Sequence, residues 1–283
     1  MTEPTKETEL AGPKILLIGP TGTGKTHALG TLTEWAQAHG KTVCALFTEN
    51  SLDVLKGYWL DAGKEIPSCL HWHSTYTAPS TLASLITAAD NVGKLSYEAI
   101  TKMTDANRGA NNPFFKILSA CANFTSDRDG TKFGPIDSFG PDKIFINDSL
   151  TETATAAFKM VVGTKPTASM PDYMVAQNNL LNFLRLLTQG LRCTVAMTGH
   201  VSREKDEITG GTKLSVMSIG AALSQQIPPL FSDVIMSVRE ASNFTWSTAT
   251  FGADLKTRSL GYRDKIAPDF GAIMDTWVKR GGK

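Results

Sequence analysis

The stretch Gly19-Pro-Thr-Gly-Thr-Gly-Lys-Thr26 decides the fold of this chain. It follows the apolar run Ile15–Ile18 and precedes a segment with apolar residues at helical spacing. A glycine-rich loop between a strand and a helix is the context in which backbone N–H groups turn inward around a phosphate. The following helix points its positive N-terminal end at the same anion. The sequence therefore predicts a phosphate loop that binds a nucleoside triphosphate.

Two side chains of this loop have separate predicted roles. Lys25 is expected to reach the β- and γ-phosphates, and the hydroxyl of Thr26 is placed to hold Mg²⁺. The predicted cofactors are therefore ATP and Mg²⁺. The residues predicted to contact the nucleotide are Gly19, Thr21, Gly22, Thr23, Gly24, Lys25, Thr26 and His27.

The composition is typical of one globular domain. The chain has 283 residues, 41% of them hydrophobic, and a formal net charge of +1. That length supports one sizeable core, and the near-neutral charge argues against a generally basic nucleic-acid coat protein. The cysteines form no CxxC pair, the N-terminus is no signal peptide, and no apolar run approaches the ~20 residues of a membrane span. We therefore expect a cytoplasmic protein with reduced thiols and no membrane partner.

Apolar strands alternate with amphipathic helices along most of the chain. This pattern predicts an α/β fold in which a mainly parallel β-sheet carries helices on both faces. We expect a polar leader over residues 1–12, one domain over 13–267 with an irregular insertion at about 74–142, and a basic tail over 268–283. Late strands are expected at Ser232–Val238 and Thr245–Phe251, with another near Leu255.

Three polar residues at the ends of predicted strands complete a catalytic set with Lys25. Ligands of parallel sheets lie at the carboxyl ends of the strands, so these residues should meet the phosphate loop. Glu49 ends the strand after the loop and is the predicted base that polarises the attacking water. Asp148 closes an apolar run and is predicted to orient Mg²⁺. His200 ends a third strand and is predicted to hydrogen-bond the γ-phosphate.

These blocks resemble the RecA core of phosphate-loop ATPases. The loop, the stretch Gly40–Asp53, the strand Ile144–Leu150 and Thr198-Gly-His200 each have a counterpart there, and the similar blocks span about residues 14–266. The chain resembles most the minimal RecA-core ATPases encoded by bacteriophages, a group that includes Sak-type single-strand annealing recombinases.

The resemblance implies an activity and a set of partners. In this family a glutamate at the position of Glu49 is the general base for ATP hydrolysis, and Asp148 resembles the Walker B acid. The implied function is annealing or recombination of single-stranded DNA, with ATP bound between subunits of a ring or filament. The expected partners are therefore single-stranded DNA, further copies of this chain and a single-strand binding protein. A phage-encoded protein would work in the cytoplasm of a bacterial host.

Basic residues in two polar loops are the candidates for DNA contact under this resemblance. One loop covers residues 163–171 and the other residues 202–213, and the candidate side chains are Lys165, Arg203, Lys205 and Lys213. Acidic residues are interleaved with the second loop's cations, so ordinary surface loops are the alternative. Lys256 and Arg258, on the expected strand near Leu255, are candidate fingers toward a neighbouring subunit's γ-phosphate, or simply exposed strand cations.

Other interpretations remain open from the residues alone. A ring-forming helicase or translocase motor would use the same ATP chemistry. A nucleotide-gated assembly or binding module with little turnover is favoured by the polar Asn147 beside Asp148 and by the weakly basic loops. A small-molecule kinase fits less well because Glu49 suits water activation. Cys69, His71 and His73 share one face of a predicted strand and are a candidate metal set that lacks a fourth ligand.

Overall fold

The computed structural model describes residues 10–76, 82–83, 86, 90, 93–94, 96, 112–163, 167–205 and 211–283. Within these residues the main sheet has seven strands. They are β1 (Lys14–Ile18), β2 (Thr42–Phe47), β3 (Leu70–Ser74), β6 (Lys143–Asp148), β7 (Thr194–Gly199), β10 (Asp233–Glu240) and β11 (Asn243–Ser247).

The strand order in the main sheet is β11-β10-β1-β7-β6-β2-β3. Every pairing in it is parallel except that of β10 with β11. Since β7 lies between β1 and β6, the end of β7 must lie between the phosphate loop and the end of β6. The carboxyl ends of four neighbouring strands therefore form one edge around the loop.

Seven α-helices are found in the described part of the chain. They are α1 (Lys25–Ala38), α2 (Leu52–Leu60), α3 (Pro113–Ala122), α4 (Leu150–Val162), α5 (Met170–Arg185), α6 (Gly220–Ser224) and α7 (Gly271–Lys279). A π-helical turn, Leu186–Gly190, extends α5. None of the described helices combines the length and the hydropathy that crossing a membrane requires.

The helices cover both faces of the sheet, and β1 shows how they are divided. Ile15 and Leu17 face a core built with α1, α2 and α7, whereas Leu16 and Ile18 face a second core built with α3, α4 and α5. Successive side chains of a strand point to opposite faces, so a strand buried on both sides is continuously apolar, as β1 is. The predicted α/β fold with a mainly parallel sheet is confirmed, and β1, the glycine-rich loop and α1 lie at its centre.

Part of the predicted insertion is a well-defined cap on the edge strand β3. A short hairpin, β4 (Phe124–Thr125) and β5 (Lys132–Gly134), presents Arg128 to the start of β3. The Nη1 of Arg128 donates to the carbonyls of Pro67 at 2.6 Å and Leu70 at 2.9 Å. The guanidinium also lies 5.5 Å from the ring centroid of Trp72. An exposed edge strand invites pairing with other chains, and this hairpin covers it. Within the same insertion the sequence also predicts a helix over Ala78–Val92, and this segment falls largely outside the described residues.

The predicted basic tail over 268–283 is wrong, because a helix of the core lies there. Ile273, Met274 and Trp277 of α7 are buried against α1, and Trp35 Nε1 donates to Asp275 Oδ1 at 2.7 Å. The apolar spacing of these residues defines one helical face. Burying this face stabilises the helix, while the few charges on the other face remain in water.

The strand expected near Leu255 is also wrong. Only isolated bridges form there, among them Lys256 with Val234. The carboxylate of Asp233, which is fully buried, accepts hydrogen bonds from the backbone N–H groups of Arg258 and Ser259, both at 2.9 Å. A buried carboxylate needs such donors, and side-chain to backbone bonds of this kind replace a strand ladder.

Candidate functional site

The phosphate loop connects β1 to α1. Gly22 and Gly24 have φ angles of 76° and 81°, in the left-handed region that favours glycine. The N-cap residue of α1 is Gly24, which has no side chain to bond the first N–H groups. The first turn of this 14-residue helix contains no acidic residue. The first backbone N–H groups of α1 are therefore available to an anion, and the helix dipole favours negative charge there.

Lys25 is folded back into its own loop. Its Nζ donates to the carbonyl oxygens of Gly19 and Pro20, both at 2.9 Å, and lies 3.4 Å from Nδ1 of His200. Burial lowers the pKa of Lys25, and the carboxylates of Asp148 and Glu49 oppose that effect. An ammonium held by two neutral carbonyls gains more from a phosphate oxygen, because hydrogen bonds between charged partners are stronger.

Asp148 is the centre of a hydroxyl cluster at the same edge. The residue is 1% exposed, and its Oδ2 accepts from Thr26 Oγ1 at 3.0 Å and from Ser51 Oγ at 2.6 Å. Its Oδ1 accepts from the hydroxyl of Thr198. The structure thus brings the two predicted Mg²⁺ residues, Thr26 and Asp148, into direct contact. Hard oxygen donors of this kind suit Mg²⁺.

Ser51 and Thr198 had no predicted role. Both hydroxyls contact Asp148, and that contact depends on the order of the strands. Thr198 is on β7, which lies between β1 and β6, and Ser51 follows the end of β2, which pairs with β6. The signal in the sequence was a hydroxyl residue near the end of each of the two strands that flank β6, namely β7 and β2. Arg239, exposed at the end of β10 beside Gly22, also had no predicted role.

Glu49 lies beside this cluster, and its pKa is raised. Burial raises the pKa of Glu49 to about 7, with further contributions from the negative charges of Asp148 and Glu152. The side chain lines a polar cavity of about 420 Å³ that Glu152 and Lys159 of α4 also line. A carboxyl group with a pKa near 7, in a cavity large enough to admit water, can act as a general base at neutral pH.

His200 is fixed through its backbone. Its N–H donates to Thr151 Oγ1 at 2.9 Å, and its carbonyl accepts from Met217 N at 2.8 Å. Burial, with the neighbouring charge of Lys25, lowers the pKa of the imidazole from 6.5, so the ring is neutral at pH 7. A neutral imidazole beside Lys25 can donate one hydrogen bond to a phosphate oxygen without adding a charge.

A second, apolar cavity of about 510 Å³ lies against the start of α1. The rings of His27 and Tyr58 meet edge to face in it, with centroids 4.9 Å apart, and Phe244 lies beside Gly24. The size is within the usual range for small-molecule sites. The residues that line it are Gly22, Thr23, Gly24, His27, Ala28, Thr31, Val54, Tyr58, Phe244 and Pro268.

The candidate DNA residues have mixed surroundings. Residues 202–205 and 212–213, expected to belong to a loop, instead lie in the hairpin of β8 (Val201–Lys205) and β9 (Thr212–Val216), because residues such as Leu214 and Val216 pack on the core. Arg203 is exposed on β8, and Lys205 ends that strand. Lys213 Nζ is paired with Asp254 Oδ2 at 2.8 Å, which reduces its charge toward other partners. Lys165 lies outside the described residues.

The two finger candidates lie at the other end of the sheet from their own phosphate loop. Lys256 pairs with Val234 near the amino end of β10, and its Nζ donates to the carbonyl of Pro229 at 3.2 Å. Arg258 follows in the turn held by Asp233. The phosphate loop follows the carboxyl end of β1, which runs parallel to β10. Any contact of these cations with a nucleotide would therefore have to be with another subunit's nucleotide.

The candidate metal set is occupied by other partners. His71 and His73 face the β4–β5 hairpin, with Nδ1 atoms 3.4 Å from Asp129 Oδ2 and 2.8 Å from Asp127 Oδ1. Cys69 precedes the strand, and its Sγ lies 3.7 Å from the carbonyl of Thr33. Among the residues that the structure describes, no group of three or more His, Cys, Asp or Glu side chains could hold a metal ion. These histidines instead fasten the hairpin to β3.

Comparison with known proteins identifies no family for this chain. No protein-family model matches the chain, and no curated protein matches it. Among solved structures, the chain is similar to an ATPase from the type III secretion system of pathogenic bacteria, at 15% identity and a TM-score of 0.39. The match covers 81% of this chain and 53% of that one, so this chain spans about half the length of that ATPase. The fold assignment rests on the strand order and the phosphate loop.

Proposed function

We propose that this chain binds ATP with Mg²⁺ at the phosphate loop and hydrolyses it, with Glu49 as the general base. The observation that carries the proposal is the direct contact of Thr26 with Asp148, with Lys25 and His200 3.4 Å apart beside it. Four strand ends and one helix end supply these groups at a single sheet edge. Mg²⁺ held by Thr26 and Asp148 would neutralise charge on the β- and γ-phosphates.

The nucleotide phosphates would displace internal contacts of the loop. Lys25 exchanges the carbonyls of Gly19 and Pro20 for β- and γ-phosphate oxygens, and the N–H groups at the start of α1 bind the remaining oxygens. The ammonium is already at the loop, so the exchange requires little movement of its side chain. Substituting Lys25 removes this charge from the site.

The hydrolytic step is assigned to Glu49 and His200. Glu49 takes the proton of the attacking water from the polar cavity, and its pKa of about 7 leaves a large ionised fraction at neutral pH. The neutral ring of His200 donates a hydrogen bond to the γ-phosphate. Because His200 begins the connection from β7 to β8, its movement after hydrolysis would reach the β8–β9 hairpin directly.

The apolar cavity beside Gly24 is the proposed binding site for the purine base of the nucleotide. A purine stacked between Phe244 and Tyr58 would bury apolar surface that is open in the free protein. Its position at the start of α1 is continuous with the loop that holds the phosphates.

We further propose that the chain acts on single-stranded DNA as an oligomer, in annealing or recombination, with ATP between subunits. What supports this step is the resemblance of the sequence blocks, the exposed Arg203 on the hairpin behind His200, and the finger candidates, which face away from their own loop. The Lys213–Asp254 pair favours the second candidate, a nucleotide-gated assembly module with little turnover, because it removes one cation from a DNA surface.

The test is ATP turnover by the purified protein with and without single-stranded DNA, with Lys25→Ala as the blank. Turnover that disappears in the variant and rises several-fold with DNA is expected. Turnover that ignores DNA would refute the DNA proposal and leave the ATPase. Nucleotide binding without turnover would favour the assembly module, and neither binding nor turnover would refute the proposal as a whole.

A further inference from the structure

Ser51 occupies a position that its local structure does not explain. It is the residue before α2, where a serine hydroxyl ordinarily accepts a hydrogen bond from a backbone N–H of the first helical turn. Here the side chain makes no such bond, although the backbone carbonyl of Ser51 accepts from Val54 N at 3.1 Å and Leu55 N at 3.3 Å. The helix begins normally, but the capping hydroxyl is used elsewhere.

The hydroxyl is used by the carboxylate of Asp148. Ser51 Oγ donates to Oδ2 at 2.6 Å, and Ser51 is 7% exposed. Thr26 donates to the same oxygen from the other side, at 3.0 Å, and Thr198 donates to Oδ1. Each carboxylate oxygen thus has a donor besides Thr26, the residue predicted to turn toward Mg²⁺.

The carboxylate needs these donors once Thr26 is engaged elsewhere. Without Ser51, Oδ2 would have no hydroxyl donor once Thr26 turns to Mg²⁺, and the hydroxyl of Thr198 on Oδ1 would be the remaining hydroxyl donor to the Asp148 carboxylate. Residues that hold a metal-binding carboxylate in place commonly affect metal affinity about 10- to 100-fold when they are removed. Ser51 is also at the start of α2, and Val54 and Tyr58 of this helix line the apolar cavity.

We propose that Ser51 is a positioning residue for Mg²⁺ binding, which holds Asp148 Oδ2 toward Thr26 while the nucleotide is bound. It acts through Asp148 and does not touch the nucleotide. This inference rests on the proposed nucleotide binding.

The test is a Mg²⁺ titration of nucleotide affinity, read with a fluorescent ATP analogue, in wild type and Ser51→Ala. We expect the Mg²⁺ concentration at half effect to rise by about tenfold or more in the variant. The affinity measured in EDTA should be unchanged, because Ser51 contacts only the carboxylate. Ser51→Thr keeps the hydroxyl and should return the midpoint to within about twofold of wild type, since threonine is also tolerated before a helix.

A matched control is Ser169→Ala, which removes a serine that precedes α5 and donates to Asp172 Oδ2 at 2.7 Å, outside the site. It should lower the melting temperature without moving the Mg²⁺ midpoint. An unchanged midpoint in Ser51→Ala, or an affinity loss equal with and without Mg²⁺, would overturn the positioning role. A wild-type protein that binds the analogue no better than Lys25→Ala would instead show that the proposed function has failed.

Discussion

Replacing Glu49 by glutamine should abolish turnover and at the same time make the protein more stable. The pKa of Glu49 is raised from 4.5 to about 7, first by burial and then by the charges of Asp148 and Glu152. The folded state therefore disfavours the ionised carboxylate that the proposed chemistry requires. Glutamine has nearly the same shape, keeps an oxygen that can accept a hydrogen bond, and carries no charge.

The magnitude follows from the difference between the two pKa values. Below pH 4.5 the carboxyl is protonated in both the folded and the unfolded states, and the substitution changes nothing electrostatic. From pH 4.5 to about 7, ionisation lowers the free energy of the unfolded state relative to the folded state by about 1.4 kcal/mol per pH unit. The difference levels off at about 3.4 kcal/mol. Glu49 is only half-buried, and water screens part of this, so we expect Glu49→Gln to gain about 1–3 kcal/mol at pH 8.

The assay is chemical denaturation of both proteins at pH 8 and at pH 5. The gain in free energy of unfolding should be present at pH 8 and fall below about 1 kcal/mol at pH 5. Glu65→Gln is the matched control, since Glu65 is exposed on the surface and should show no such difference. A Glu49→Gln protein no more stable than wild type at pH 8, or equally stabilised at both pH values, would refute the reasoning.

Three further predictions concern the base cavity, the last helix and the pH dependence. Phe244→Ala should weaken ATP binding several-fold but leave inorganic tripolyphosphate binding unchanged in calorimetry, because the ring of Phe244 lines the apolar cavity proposed for the purine; equal losses for both ligands would contradict this. Trp277→Ala should lower the free energy of unfolding by about 3–5 kcal/mol, since the ring is 6% exposed in the core, and a loss under 1 kcal/mol would argue against a packed α7. Turnover should rise with pH through about 7 as Glu49 ionises, and a flat profile from pH 6 to 8 would exclude Glu49 as the base.

The elements that the sequence predicted well are those with strong local signals. Apolar runs such as Ile15–Ile18 fix buried parallel strands, and the glycines of the loop fix its left-handed turns. Strand ends in a parallel sheet share one edge, so the proximity of Lys25, Asp148 and His200 followed from their positions after strands.

Elements that depend on distant partners were missed. The segment after Leu255 has a strand-like alternation, but the buried Asp233 holds it as a turn from more than twenty residues away. The charged residues at the end of the chain led to the prediction of a basic tail in place of α7. The apolar face of α7 packs on α1 and the sheet, which are distant in sequence. Hydroxyl residues are common, and nothing local distinguishes Ser51 until the order of β6 and β2 brings it to Asp148.

The central claim is that the loop Gly19–Thr26 binds a Mg²⁺-nucleotide through Lys25. Titration calorimetry with a slowly hydrolysed ATP analogue and Mg²⁺, on wild type and Lys25→Ala, tests it most directly. The account predicts one nucleotide bound per chain by wild type and binding at least tenfold weaker in the variant, which corresponds to about 1.4 kcal/mol. Equal affinities in the two proteins would contradict it.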